Sequence, residues 1–202
     1  MADTYFTIER SSIAEFKDRG SRFIAYAFPI QSADELKQRL SDIKKEHPKA
    51  THHCFAYRLG TEGYNFRVSD DGEPSGSAGR PILGQIDNRQ LTNTLVVVVR
   101  YFGGSLLGIP GLINAYKTAT MLCLQVTPVV VRSIAALYQL QFPYTQLDAV
   151  LKVLKHMGLT VLKKDIQLFC NVTVSVPLKD VENLERGLGS MEGLTITRQA
   201  NS

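Results

Sequence analysis

The residues best suited to chemistry lie in SDDGEPSGSAGRP, residues 69–81, here called the acidic loop. Its carboxylates Asp70, Asp71 and Glu73 could hold a divalent cation through oxygen ligands, or one of them could serve as a general base. The spacing is not that of an EF-hand, and carboxylates would repel the phosphate that a bare glycine loop attracts. A metal site or a general base is therefore the chemical interpretation of this loop.

A structural interpretation of the acidic loop competes with the chemical one. Carboxylates just before a helix accept hydrogen bonds from its first backbone amides, and glycines permit left-handed turns. We favour this structural role, while the density of special residues keeps the loop as the best candidate site.

A second stretch, RYFGGSLLGIPGL at residues 100–112, is called the glycine-rich turn. It follows a strand-like run and precedes a helix-like run, which is where backbone amides and a helix dipole can bind an anion. Gly103 and Gly108 have GxxxxG spacing, but Ile109 and Pro110 stand where a phosphate-binding loop needs Lys and Ser or Thr. We therefore disfavour nucleotide binding, and an anion or backbone docking site using Arg100 stays open.

The run His52, His53 and Cys54 offers metal ligands and a nucleophile. On a strand His52 and Cys54 share one face and His53 takes the other, so the three do not converge on one metal ion. A Cys–His nucleophilic pair would need a third, orienting group, which the sequence does not supply. A half-buried, hydrogen-bonded histidine is the favoured interpretation.

The elements that must position these residues predict an α+β protein of two domains. The final third has the order βαββαβ, which is typical of a ferredoxin-like sandwich, with its first helix capped by Thr145 and ended at Gly158. Upstream, Ser32 and Glu35 form a capping box, and the apolar run TLVVVV predicts a strand covered on both faces. We place the domains at residues 1–130 and 134–202, with the boundary in VTPVVVRS.

Composition limits the functional classes. The chain has 202 residues, 44% hydrophobic and 21% charged, with a net charge of +4 that permits a nucleic-acid partner without requiring one. Its three cysteines lack CxxC spacing, which argues against a zinc site or a disulfide framework. Neither a signal peptide nor a membrane-spanning run is recognisable, so we expect a soluble, cytoplasmic protein.

Three blocks in one order resemble the signature of the YigZ/IMPACT family: THHCFAYRLG, SDDGEPSGSAGRPIL and VVVVRYFGGSLLGIPGLINAY. The resemblance implies an N-terminal domain like the second domain of ribosomal protein S-five, followed by a ferredoxin-like domain, as in the fourth and fifth domains of elongation factor G. Eukaryotic members regulate translation by competing for a protein partner of a stress-responsive kinase that phosphorylates an initiation factor. For bacterial members, RNA or ribosome binding is the usual inference from the fold.

The resemblance also marks a patch of residues for binding, within which Pro110 and Asn114 depart from the usual glycine and basic residue of the family. The predicted binding patch consists of His52, Asp70, Asp71, Gly72, Glu73, Pro74, Gly76, Ser77, Gly79, Arg100, Tyr101, Phe102, Gly103, Gly104, Gly108, Gly111 and Tyr116.

Two functions remain open. The first is a non-enzymatic, translation-linked protein that binds RNA, the ribosome or a ribosome-associated protein. The second is a metal-assisted hydrolase or phosphoryl-related enzyme in which the acidic loop, His52 and Arg100 share one cleft. We favour the first, with no catalytic residue, metal, cofactor or membrane partner, because the sequence assembles no nucleophile, base and orienting group. The oligomeric state is left open.

Overall fold

The computed structural model describes residues 3–61 and 63–199. Within them the chain forms two compact units, residues 5–132 and residues 133–199, the second joined by residues 3 and 4. The first unit contains β1 Thr4–Ile8, β2 Ser12–Asp18, β3 Ser21–Pro29, α1 Ala33–Glu46, β4 His52–Leu59, β5 Asn65–Ser69, α2 Gly79–Asn88, β6 Thr94–Tyr101, α3 Gly108–Gln125 and β7 Val129–Ser133. The second contains β8 Ala135–Pro143, α4 Leu147–His156, β9 Thr160–Asp165, β10 Phe169–Pro177, α5 Val181–Leu188 and β11 Thr195–Arg198.

The first unit is built on an antiparallel five-stranded sheet in the order β2-β3-β6-β4-β5. The central strand β6 is buried on both faces, as its apolar run predicts. Val96 and Val98 pack with α2 and α3, whereas Leu95 and Val97 pack with α1 on the opposite face. Since successive residues of a strand alternate between faces, β6 serves two cores at once.

The capping box predicted for α1 is present in part. The amide of Glu35 donates to Ser32 Oγ at 3.2 Å, as expected for an N-cap. The carboxylate of Glu35 accepts from the amide of Gln31 at 2.8 Å, one residue before the donor of a standard capping box. One amide in the first turn of α1 and one ahead of the helix are thereby satisfied.

Two strands of the first unit were not predicted. In β2, Ile13 and Phe16 lie on opposite faces and the half-buried face also carries Ser12 and Asp18, so the period-two apolar pattern is weak. The stretch predicted as a domain boundary contains β7, which pairs with β1 in a two-stranded sheet. Short strands of this kind depend on a distant partner rather than on local sequence.

The second unit has the predicted βαββαβ order and an antiparallel sheet in the order β11-β8-β10-β9. Its core joins alternate residues of β8 and β10 to Val150 and Leu154 of α4 and to Leu184 and Leu188 of α5. This is the ferredoxin-like sandwich, so the predicted α+β fold class is confirmed.

The cap predicted at Thr145 is wrong. Residues 144–146 form a 3-10 turn, and α4 begins at Leu147 without a side-chain cap. The predicted stop is correct, because Gly158 takes a left-handed conformation with φ of 66° just after the helix. No helix within residues 3–61 and 63–199 is long and apolar enough to cross a lipid bilayer.

Candidate functional site

The acidic loop connects β5 to α2, and Asp70 organises it. Its Oδ1 accepts hydrogen bonds from the amides of Ala78 and Gly79 at 3.0 and 2.8 Å, and its Oδ2 accepts from the amide of Gly76 at 2.8 Å. Burial alone would raise the pKa of Asp70, but the amides of Gly76, Gly79 and Ala78 outweigh it and hold that pKa below its usual value. Asp70 therefore supports the start of α2, which is the structural role favoured above.

The next two residues tie the acidic loop to β4. Asp71 and Gly72 are both left-handed, with φ of 42° and 90°. Asp71 Oδ2 accepts from the amide of His53 at 2.7 Å, and the Asp71 carbonyl lies 2.8 Å from His52 Nδ1. Because a carbonyl only accepts, Nδ1 carries the proton, and the Nε2 of a neutral His52 keeps its lone pair.

Glu73 is the buried centre of the site. Its Oε1 accepts from Arg100 Nη1 and from the Tyr116 hydroxyl, each at 2.7 Å, and lies 3.9 Å from His52 Nε2. The acidic loop, β6, α3 and β4 therefore meet at one carboxylate. A charge this deeply buried requires such partners, since an unpaired one would be strongly destabilising.

Two further protons in this cluster are held tightly. Burial, with Cys54 and Glu73 adding to it, raises the pKa of Tyr116 far above its usual value, so its hydroxyl stays a donor. Burial also raises the pKa of Cys54 to about 12. The Cys54 sulfur lies 3.0 Å from the Asp70 carbonyl and 3.3 Å from the Tyr116 hydroxyl, and its proton can be donated to either oxygen. A thiol in this state is a poor nucleophile.

Arg100 lies between two aromatic rings. Its guanidinium carbon is 5.4 Å from the ring centre of Phe23 and 5.6 Å from that of Phe102, which are favourable cation–π distances. Its side chain is only 6% exposed, and its Nε has no hydrogen-bond partner among the described residues. The guanidinium is thus fixed in place but not fully satisfied.

The path of the glycine-rich turn is set by a backbone contact. A Cβ added to Gly103 would stand 1.9 Å from the carbonyl carbon of Gly20, in the turn between β2 and β3. The Gly103 amide also donates to Ser21 Oγ at 3.1 Å. Gly103 is therefore required for close packing rather than for contact with a ligand, and Gly104 and Gly108 are left-handed, with φ of 85° and 70°.

A cleft of about 350 Å³ opens over this cluster. Its polar part is formed by His52, Glu73 and Arg100, and the remaining lining is apolar apart from Gly108. The apolar residues of the lining are Pro74, Phe102, Leu106, Leu107, Ile109 and Leu112. Leu106 is 85% exposed, and Phe102 and Ile109 are about half exposed. The cleft therefore has a charged floor and an exposed apolar rim.

The structure brings together only part of the predicted binding patch. Six of its residues line the cleft, and Tyr116 reaches Glu73 from α3. The six are His52, Glu73, Pro74, Arg100, Phe102 and Gly108. The others do not line it, namely Asp70, Asp71, Gly72, Gly76, Ser77, Gly79, Tyr101, Gly103, Gly104 and Gly111.

Tyr101 lies apart from the rest of the patch. Because it follows Arg100 on a strand, its side chain takes the opposite face, where its hydroxyl lies 2.8 Å from His47 Nδ1. Gly79 and Ser77 have internal roles instead: a Cβ on Gly79 would stand 2.8 Å from the Ser69 amide nitrogen, and Ser77 Oγ donates to the Pro74 carbonyl at 2.6 Å.

Sequence reasoning missed the apolar rim, because Leu106 and Ile109 belong to no chemical motif. The available signal was a pair of leucines in an otherwise glycine-rich turn, of which Leu107 enters the core and Leu106 stays exposed.

The carboxylates that could bind a metal ion already accept hydrogen bonds within the protein. Asp70 accepts from three amides, and Glu73 accepts from Arg100 and Tyr116. In the part of the chain that the structure describes, no three His, Cys, Asp or Glu side chains are grouped to hold a metal ion. The metal-assisted alternative therefore loses its proposed ligands to internal contacts.

Fold and site together define a two-unit α+β protein whose first unit carries a cleft between a central strand and the helix that follows it. Residues 19–124 match the family model described as the Impact N-terminal domain. The chain is 37% identical over 150 residues to the IMPACT family member YvyE of Bacillus subtilis, covering 74% of this chain and 69% of that one. The chain belongs to the IMPACT family.

Two further comparisons extend over most of the chain. It is 32% identical over 183 residues to the IMPACT family member YigZ of Escherichia coli, covering 87% of this chain and 90% of the relative. A crystal structure of a hypothetical protein superposes with a TM-score of 0.81 at 28% identity and covers all of both chains. The two-unit α+β fold is therefore shared with a solved relative.

Proposed function

We propose that this chain is a non-enzymatic, cytoplasmic regulatory protein linked to translation, and that it docks a ribosome-associated protein in the cleft of its first unit. The translation link rests on membership of the IMPACT family, whose eukaryotic members the resemblance described above associates with translational control. The docking role rests on the chemistry of the cleft itself.

The observation that carries this proposal is an exposed apolar rim around charges that already neutralise each other. Glu73 and Arg100 form an ion pair on the floor of the cleft, whereas Leu106 and Ile109 are 85% and 53% exposed on its rim. Exposed apolar residues grouped around a concavity are typical of protein interfaces. A reaction centre would instead need a base placed beside a nucleophile. The carboxylates and the Cys54 thiol are already bonded, and the described lining sets no Ser, Thr, Cys or Lys side chain beside the His52 lone pair.

A protein partner fits this cleft better than RNA does. Binding of an RNA backbone depends on several accessible cations that displace counterions from phosphates. The lining of the cleft offers one guanidinium, that of Arg100, and Glu73 already balances its charge. Apolar side chains of a protein would instead bury the exposed rim.

The proposal is tested by co-sedimentation with purified ribosomes that retain their associated proteins. The variant Leu106→Asp places a charge on the rim, and Leu168→Asp is the matched control because Leu168 is 82% exposed in the second unit. We expect the wild-type chain and the control to sediment with ribosomes, and Leu106→Asp to lose at least about tenfold in affinity.

Salt separates the protein partner from RNA. Binding through several phosphates weakens about a thousandfold or more between about 50 and about 200 mM salt, whereas apolar docking changes little. A steep loss of wild-type binding over that range would indicate RNA and would contradict the protein partner. Failure of the wild-type chain to sediment at any salt concentration would contradict the proposal as a whole.

A further inference from the structure

We infer that the cleft binds a carboxylate group on an apolar body, as presented by the C-terminal residue of a polypeptide. This inference deepens the proposed docking role and rests on it. It specifies which part of the partner enters the cleft.

The first observation is the start of α3, which borders the cleft. This helix has 18 residues, no acidic residue in its first turn and no side-chain hydrogen bond at its N-cap Leu107. The amides of Gly108 and Ile109 have no acceptor among the described residues. Free amides at a helix start, together with the helix dipole, favour an anion.

The second, independent observation is Arg100. Its side chain is 94% buried, its Nη1 donates to Glu73, and its Nε has no partner among the described residues. A buried donor without an acceptor is unfavourable, and guanidinium groups bind carboxylates through two adjacent nitrogens. Since Arg100 lines the same cleft as Gly108 and Ile109, an anion placed there would lie near both the guanidinium and the start of α3.

The charge of the cleft favours a ligand with one negative charge over a ligand with two. Arg100 and Glu73 balance each other, so the positive potential left in the cleft comes from the start of α3, equivalent to about half a charge. A phosphate monoester with nearly two charges would meet the Glu73 carboxylate with too few cations. A carboxylate suits this balance.

The apolar lining selects the rest of the ligand. Leu107 and Leu112 are buried beside the cleft, while Leu106 and Ile109 extend from its rim into solvent. A volume of about 350 Å³ is at the lower end of ligand pockets and is large enough for one aliphatic side chain with its carboxylate. The exposed rim can then contact the preceding residues of a polypeptide, which a free amino acid lacks.

The test uses calorimetric titration of the full chain with four probes. They are a six-residue peptide ending in leucine with a free carboxylate, the same peptide as a C-terminal amide, N-acetyl-leucine and inorganic phosphate. We expect the free-acid peptide to bind at least about tenfold more tightly than its amide, because the amide lacks the charge. We also expect it to bind more tightly than N-acetyl-leucine, which cannot reach the rim.

Each other result overturns a part of the inference. If the free-acid peptide and its amide bind equally, the ligand does not need a carboxylate. If the peptide and N-acetyl-leucine bind equally, the carboxylate does not have to come from a polypeptide. If phosphate binds more tightly than the peptide, the proposed ligand class is wrong.

Variants place the ligand in the cleft. Leu106→Asp should weaken the free-acid peptide roughly fivefold or more by repulsion and loss of apolar contact, while Leu168→Asp leaves its binding unchanged. If the Leu106→Asp variant binds the free-acid peptide as tightly as the wild-type chain does, the peptide does not bind in the cleft.

Competition distinguishes this inference from the proposed function. Saturating free-acid peptide should displace the chain from ribosomes. Ribosome binding that depends on Leu106 but resists the peptide would overturn the carboxylate inference and leave the docking role standing.

Discussion

Glu73 Oε1 and Arg100 Nη1 lie 2.7 Å apart in an ion pair whose side chains are 3% and 6% exposed. The pair connects the acidic loop to the central strand of the first unit and forms the floor of the cleft. Two stretches that are separate in sequence thus depend on each other for burial of their charges.

We expect Glu73→Ala to lower the free energy of unfolding by about 3–5 kcal/mol, because it leaves the Arg100 guanidinium buried without its counter-charge. The double variant Glu73→Leu with Arg100→Met removes both charges and should lose less than Glu73→Ala alone. Urea denaturation followed by circular dichroism measures both. A loss below about 1 kcal/mol for Glu73→Ala would show that the pair is solvated in solution.

We expect Gly103→Ala to prevent normal folding or to destabilise the first unit by several kcal/mol, since its Cβ would stand 1.9 Å from the carbonyl carbon of Gly20. The matched control is Gly84→Ala, at a position inside α2 where a Cβ meets nothing within 4 Å. This control should be stabilised by about 0.5–1 kcal/mol through helix propensity. Thermal unfolding of both variants measures these effects. A Gly103→Ala protein as stable as the wild type would disprove the close packing of Gly103 against Gly20.

We expect Asp70 to make the free energy of unfolding sensitive to acid. Its pKa is held below the usual value in the folded chain by the amides of Gly76, Gly79 and Ala78, which outweigh burial. The stability it contributes is therefore complete above the unfolded-state pKa, near 3.9, and is lost as pH falls through the lower folded-state pKa. Asp70→Asn cannot titrate, so its unfolding free energy should fall less steeply below about pH 4. Parallel pH profiles for the two proteins would contradict this role.

The buried thiols should be unreactive in the folded chain. Burial raises the pKa of Cys54 to about 12 and that of Cys123 to about 11. At pH 8 a disulfide reagent such as Ellman's reagent should leave both unmodified, because the thiolate is the reacting form. All three cysteines should react once the chain is unfolded in urea. Fast labelling of Cys54 in the native protein would reopen a nucleophilic role at the site.

Much of the fold follows from local patterns in the sequence. The second unit alternates apolar and polar residues clearly in β8 and β10, and its helices carry strong apolar stripes, so their order could be predicted. Ser32 follows a strand-like run and precedes Glu35 by three residues, which defines the start of α1. By contrast, β7 has no local signal distinct from a linker, because it is specified by β1, more than 100 residues away.

The site was less predictable than the fold, and the reason is physical. Asp70, Asp71 and Glu73 look equivalent in sequence, yet one supports a helix start, one binds a strand and one is buried beside Arg100. Their roles depend on which backbone groups the folded loop presents to each carboxylate. Tyr101 shows the same limit, since a single step along β6 moves its side chain to the other face of the sheet.

The contact between Gly20 and Gly103 has a consequence for evolution and engineering of this chain. With no side chain in between, the backbone at the tip of the β2–β3 hairpin lies directly against the glycine-rich turn, so a shift of one must be accommodated by the other. Lengthening that hairpin by a residue would leave the strand pairing intact but reshape a ligand-facing wall whose own sequence had not changed. Variation at this surface bend, which contributes no residue to the cleft lining, would in this way retune what the protein recognises.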